Sequence, residues 1–313
     1  MTDYTNYEMG VDLSVYEPRV DYQLLKDNGV KFIIARAGKG NYYNDPTFAI
    51  HCQGAYDVDL PFGFYWVHDP MVDINRIEND ELQLNAIKKA VAGKKFSFAV
   101  IDVEIFYYYN EKNEKIIIPD NNISETARVL AAKMRNYFKI PVVIYTRHTF
   151  VYEHAHQMEI WLSNLGYDLW LAYYPFSTSL VYTTWDKVKG MIPSTINSKY
   201  LYVGTVPAWT MWQINDKFVL PGILDQNNKP TAVDVNLFNI AKGTVNEWCG
   251  YVPRNQEPPT PPVPPDPPAD PPVQSDPKIE ARLTDAETRL TAVESDVESL
   301  KAVIKAAGRL LSE

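Results

Sequence analysis

The sequence predicts an α/β barrel, followed by a proline-rich spacer and a coiled-coil helix. Three observations predict it. Eight short apolar, β-branched or aromatic runs recur over residues 1–251, with helical patterns filling the first five gaps between them. Twelve of the chain's 23 prolines crowd between Pro253 and Pro277. From Lys278 onward, apolar residues recur in alternating steps of four and three.

The strand candidates are Gly10–Leu13, Phe32–Ala37, Phe62–Val67, Phe98–Ile105, Pro141–Thr146, Leu169–Tyr174, Trp209–Ile214 and Ala232–Phe238. The helical patterns lie near Tyr22–Asn28, Pro46–Tyr56, Arg76–Val91, Ser124–Phe138 and Thr149–Leu165, and Ser124 is expected to cap its helix. Alternation of strand and helix implies parallel strands joined by right-handed crossovers. Eight strands suggest closure into a barrel. The last two gaps carry no convincing long helix, so the outer layer holds five.

Residues 252–277 are expected to form a linker. Proline fixes φ and removes the amide donor, so PPTPPVPPDPPADPP suits a solvated polyproline II spacer. Residues 278–313 read as an oligomerisation helix. With Leu283 at heptad position a, the flanking pairs Arg282–Glu287, Arg289–Glu294 and Asp296–Lys301 all oppose charges. That is the complementarity of identical helices running parallel and in register. It predicts a homo-oligomer of two to four chains, with a trimer favoured.

Composition narrows the function. A net charge of −9 argues against a nucleic-acid partner, which needs clustered Lys and Arg. No apolar run approaches the ~20 residues of a membrane span, so no membrane insertion is expected. The opening MTDYTNYEMG lacks a basic stretch followed by an apolar run, and no secretory signal peptide is expected. Cys52 and Cys249 read as two buried, inert thiols, with a bridge tying the chain's start to its end as the lesser reading.

Catalytic groups of a parallel barrel gather at the C-terminal ends of its strands. Three candidate strands end in carboxylates: the first with Asp12, the fourth with Asp102 and Glu104, the eighth with Asp234. Side chains alternate faces with period two, so Asp102 and Glu104 point the same way. Acids converging on one mouth repel and raise at least one pKa, which suits a general acid near neutrality. Glycoside cleavage fits such a site, since one acid protonates the leaving oxygen while others stabilise the developing positive charge. Clustered carboxylates also suit a divalent cation, but no EF-hand or HExxH spacing is present, and no metal or other cofactor is expected. Aromatic rings near the same strand ends offer stacking faces for sugars: Tyr65 and Trp66, Tyr145, Tyr174 and Trp212. Period two forbids Tyr65 and Trp66 from both facing the mouth.

GVDLS, VKFIIARAG, GFYW, IDVE, VVIYT, LWLAYY, MWQI and PGI followed by VDVNLF resemble, in this order, the motif blocks of glycoside hydrolase family 25. These are the Chalaropsis-type lysozymes of phage endolysins and bacteria. The resemblance covers roughly Met9 to Asn239. It implies a TIM-like (β/α)5(β)3 barrel and N-acetylmuramidase activity on bacterial peptidoglycan, by a phage-encoded lysin or virion component. It implies that Glu104 is the general acid, that Asp102 assists, and that Asp12 and Asp234 complete the site. Tyr65, Tyr145, Tyr174 and Gln213 fall on substrate-contact positions. Trp66 departs from the family's frequent His, and the stretches Tyr107–Asn122 and Pro175–Pro207 are longer than usual. An alternative expectation is a binding component that grips wall glycan with little or no hydrolysis, as in a phage tail or adhesin.

Overall fold

The computed structural model describes residues 7–73, 81–175, 180–181, 199–204 and 209–254. Its centre is an eight-stranded sheet closed on itself. The strands are β1 (Tyr7–Leu13), β2 (Val30–Lys39), β3 (Phe62–Val67), β4 (Phe98–Asp102), β5 (Val142–Thr146), β6 (Asp168–Ala172), β7 (Met211–Val219) and β8 (Val233–Asn239). They follow chain order around the barrel, and the pairing of β1 with both β2 and β8 closes it. All eight candidate strands are therefore present. The linker and the heptad helix lie outside the described residues, as do the first residues of the Arg76–Val91 helical pattern and most of Pro175–Pro207.

The expectation that all strands run parallel is corrected. Strands β1 to β7 run parallel, but β8 is antiparallel to both β7 and β1. The connection from β7 to β8 contains no helix. It holds turns and a two-residue pairing of Ile223–Leu224 with Arg19–Val20. Without a crossover helix to carry the chain back across the sheet, the return is antiparallel.

The helices of five residues or more are α1 (Tyr22–Asp27), α2 (Phe48–Asp57), α3 (Glu81–Val91), α4 (Asp120–Phe138), α5 (His148–His154), α6 (Met158–Leu165) and α7 (Val245–Cys249). Ser124 is not a cap. Helix α4 begins one turn earlier, after Pro119, and Ser124 is buried with its hydroxyl accepting from Trp161 Nε1 at 3.0 Å. The Thr149–Leu165 pattern is two helices rather than one. Asp120 explains the break, because its carboxylate accepts from the amides of His156 (2.8 Å) and Gln157 (3.4 Å) at the start of α6. The Tyr107–Asn122 stretch is not a plain loop either. Tyr107–Tyr109 and Lys115–Ile117 pair as a hairpin, its turn held by Asn110 Oδ1 accepting from Lys112 and Glu114 amides.

Period two divides the core into an outer shell and a barrel interior. Val11, Phe64, Trp66, Ile101, Ile144 and Trp212 belong to the outer shell. Phe32, Phe98, Val100, Val143, Trp170 and Met211 fill the interior. The floor depends on two glycines. A Cβ on Gly10 would lie 2.3 Å from the Phe32 ring, and one on Gly63 would lie 2.2 Å from the Phe98 ring. Trp248 of α7 closes the floor from below, with ring centroids 5.3 Å from both Phe98 and Phe238. Cys52 and Cys249 are buried free thiols with no bridge between them.

Candidate active site

With the floor packed, the interior positions at the mouth are left for polar chemistry: the C-terminal ends of the parallel strands and, because β8 is antiparallel, its N-terminal end, where Asp234 lies rather than at a C-terminal end as expected. Asp12 follows Gly10 on the inner face of β1, and Asp102 follows Val100 on β4. Asp234 precedes Asn236 and Phe238 on β8. Glu104 lies two residues beyond the end of β4, exposed at the rim. All four carboxylates line one cavity of about 240 Å³, and Tyr65, Tyr145, Tyr174 and Gln213 line it too. Trp66 and Trp212 instead face outward and are buried, their indole N–H groups donating to the backbone oxygens of Gly40 (3.1 Å) and Tyr173 (2.7 Å).

A hydrogen-bond network fixes Asp12. Gln213 Nε2 donates to its Oδ2 at 3.1 Å, and Asn236 Nδ2 donates to the same atom at 2.7 Å. Each amide is oriented from its other end. Tyr145 (2.8 Å) and Tyr174 (2.5 Å) donate their hydroxyl protons to Gln213 Oε1, and Trp170 Nε1 donates to Asn236 Oδ1 at 2.8 Å. Since an oxygen must face those donors, each NH₂ must face Asp12.

Three of the acids are pushed upward. Burial raises Asp12, and its amide partners pull it partly back. Burial raises Asp234 well above the carboxylate range, and the charge of Asp12 beside it raises it further. The two carboxyls share a hydrogen bond that lowers Asp12 and raises Asp234, and the two amide donors on Asp12 act in the same direction, favouring charge on Asp12 over Asp234. Asp102 is raised well above its ordinary value by burial first, then by the charges of Glu104 and Asp12; Arg147 and Arg36 oppose the shift. Asp102 Oδ1 is buried and has no hydrogen-bond partner among the described residues. Just past the C-terminal end of β1, buried Glu17 accepts from the Ser14 amide (2.9 Å) and hydroxyl (3.2 Å), and burial pushes its carboxyl up to about 7.

Several residues of this site carry no signal strong enough to single them out in the sequence. Asn236 does so only through its spacing of two from Asp234. Arg147 is the residue that follows β5, and Trp170 sits two residues before Ala172 on the inner face of β6. Asp216 lines the cavity although strict alternation from Gln213 points it outward. Register shifts in β7 after Gln213 and Asn215 turn it inward. Arg36 stands behind the acids, paired with Asp45 at 2.8 Å. No group of three or more His, Cys, Asp or Glu is placed to hold a metal among the described residues, and no helix among them is long and apolar enough to cross a membrane.

A cluster of acids at one mouth, three of them raised by burial, beside tyrosines and amides can hold a sugar and exchange a proton with it. Comparison with known proteins gives a family and a fold. The sequence profile of Glycosyl hydrolases family 25 matches residues 11–223. No curated protein matches the chain. Among solved structures it is similar to a muramidase from Trichobolus zukalii, with 19% identity, TM-score 0.54, and coverage of 78% of this chain and 97% of that one. It is similar to the catalytic domain of an endolysin from bacteriophage P40 of Listeria monocytogenes, with 20% identity, TM-score 0.52, and coverage of 78% and 98%. It is also similar to a bacterial lysozyme from Streptomyces coelicolor, with 17% identity, TM-score 0.54, and coverage of 78% and 95%. At these identities the structural likenesses establish the fold.

Proposed function

The chain belongs to glycosyl hydrolases family 25, and we propose that it is a lysozyme that hydrolyses the β-1,4 bond between N-acetylmuramic acid and N-acetylglucosamine in peptidoglycan. One observation carries the reading: Asp12, Asp102, Glu104 and Asp234 line a single cavity at the barrel mouth. The solved relatives include proteins described as muramidase, lysozyme and endolysin, which favours the same substrate here. A role limited to gripping glycan is disfavoured, because burying three acids is costly unless they do chemistry.

Glu104 is assigned as general acid. Exposed at the rim, it can reach the glycosidic oxygen of a chain lying across the mouth. Asp102 is assigned to the substrate's 2-acetamido group, because its buried Oδ1 is an acceptor that the described residues leave unmatched. An acetamide N–H donating there would turn the acetamide oxygen toward the anomeric carbon. That oxygen would bond to the carbon as the glycosidic bond breaks and the leaving oxygen takes the Glu104 proton. Water, deprotonated by the Glu104 carboxylate, would then open the cyclic intermediate with net retention. Asp12 and Asp234, sharing one proton, hold Gln213 and the floor of the sugar site. NMR of the first product tests the route: the β-anomer is expected, and the α-anomer would rule out acetamide participation.

The charge pattern of residues 278–313 further supports a homo-oligomer of two to four chains, trimer favoured, carried on the proline spacer. Several barrels on one stalk would suit a phage-encoded or virion-borne enzyme acting on a polymeric wall, where multivalency raises avidity.

A further inference from the structure

We propose that a second cavity, beside the acid-lined one, binds the stem peptide of the muramoyl unit, with Arg147 pairing a peptide carboxylate. This cavity, of about 260 Å³, shares Arg147 and Tyr174 with the first. A ligand seated among the acids can therefore extend into it. The inference rests on the muramidase reading and names a further part of its substrate.

The two linings differ in charge. The first is rich in carboxylates, and a free carboxylate entering it meets like charge. The second has no acidic residue among the described ones and presents a guanidinium, an imidazole and three tyrosine rings. Arg147 forms no ion pair with a carboxylate among the described residues. It lies over the Tyr174 ring at 5.7 Å, is hydrogen-bonded to the Tyr145 hydroxyl, and acts on Glu104 and Asp102 only at longer range. Its planar fork suits a carboxylate bidentately. The rings are held rigidly. Tyr173 stacks on Tyr200 at 5.2 Å and on Trp212 at 6.2 Å, and His148, held by Nδ1 against the Tyr202 carbonyl oxygen at 2.7 Å, meets Tyr200 edge-on at 5.5 Å. Amide planes of a peptide can lie on such faces. Muramic acid bears its peptide on the 3-lactyl arm, and that peptide carries free carboxylates which the sugar backbone lacks.

Calorimetric titration of the full chain carrying Glu104→Gln tests the assignment without turnover. The ligands are N-acetylglucosaminyl-N-acetylmuramoyl-L-Ala-D-Glu and the same molecule with both glutamyl carboxylates amidated. The free acid is expected to bind about tenfold tighter, the worth of a charged hydrogen-bonded pair. Adding Arg147→Met should bring the ratio to about one, while Tyr200→Ala should weaken both ligands. Equal affinities, a preference surviving Arg147→Met, or no binding of either ligand would each overturn the proposal. Failure of the muramidase reading shows separately, as absence of new reducing ends when wild-type protein meets peptidoglycan. Unchanged thermal unfolding of the variants excludes misfolding as the cause.

Discussion

Single side chains define the chemistry of this mouth. Asp12, Asp102, Glu104 and Asp234 were legible in the sequence through their coincidence at candidate strand ends, since any one acid there serves equally well as a cap or a loop hydrogen-bonder. Asn236, Trp170 and Arg147 were not, because Asn, Trp and Arg near a strand end read alike whether they face the mouth or the helices. Loss of the proposed general acid is the sharpest test at this level. Glu104→Gln should lower the clearing rate of purified walls about 10²- to 10⁴-fold with unfolding unchanged; wild-type clearing by the variant would remove Glu104 from the mechanism. Glu17 gives a pH prediction. Folded Glu17 keeps its proton to about pH 7, whereas the unfolded chain gives it up near 4.5. Between those values the folded state binds more protons, so stability falls as pH rises through that window. Glu17→Gln should therefore stabilise the protein at pH 8 by up to about 3 kcal/mol and change little at pH 4. Thermal melts at both pH values decide; an equal effect at each would place the cost of Glu17 elsewhere.

Strands and helices were readable where the pattern is local and failed where a distant contact decides. Each barrel strand announces itself by a short apolar run. The direction of β8 does not, because it depends on what lies in the preceding connection, and an absent helix is a weaker signal than a present one. The break between α5 and α6 is set by Asp120, more than thirty residues away. The hairpin after β4 was hidden because Tyr107–Tyr109 suits a wall, an anchor or a strand equally. The floor rests on glycines whose need is visible only in three dimensions. Gly63→Ala should cost about 1–3 kcal/mol through overpacking against Phe98. Urea melts read this directly, and a neutral result would mean that the Phe98 ring has room to move.

At the level of the molecule, the family and the closed barrel account for the described part of the chain, and the tail adds a quantity to be measured. Light scattering should find an oligomer of two to four chains for the full sequence and a monomer for a chain ending near Tyr251. Monomers in both cases would remove the coiled-coil reading without touching the barrel. The central claim concerns the mouth: its acids cut peptidoglycan on the reducing side of muramic acid. Mass spectrometry of digested peptidoglycan tests it most directly. Wild-type protein should release fragments whose new reducing end is N-acetylmuramic acid, and Glu104→Gln should release almost none. Reducing-end N-acetylglucosamine, freed peptides alone, or an unaltered wall after wild-type treatment would contradict it.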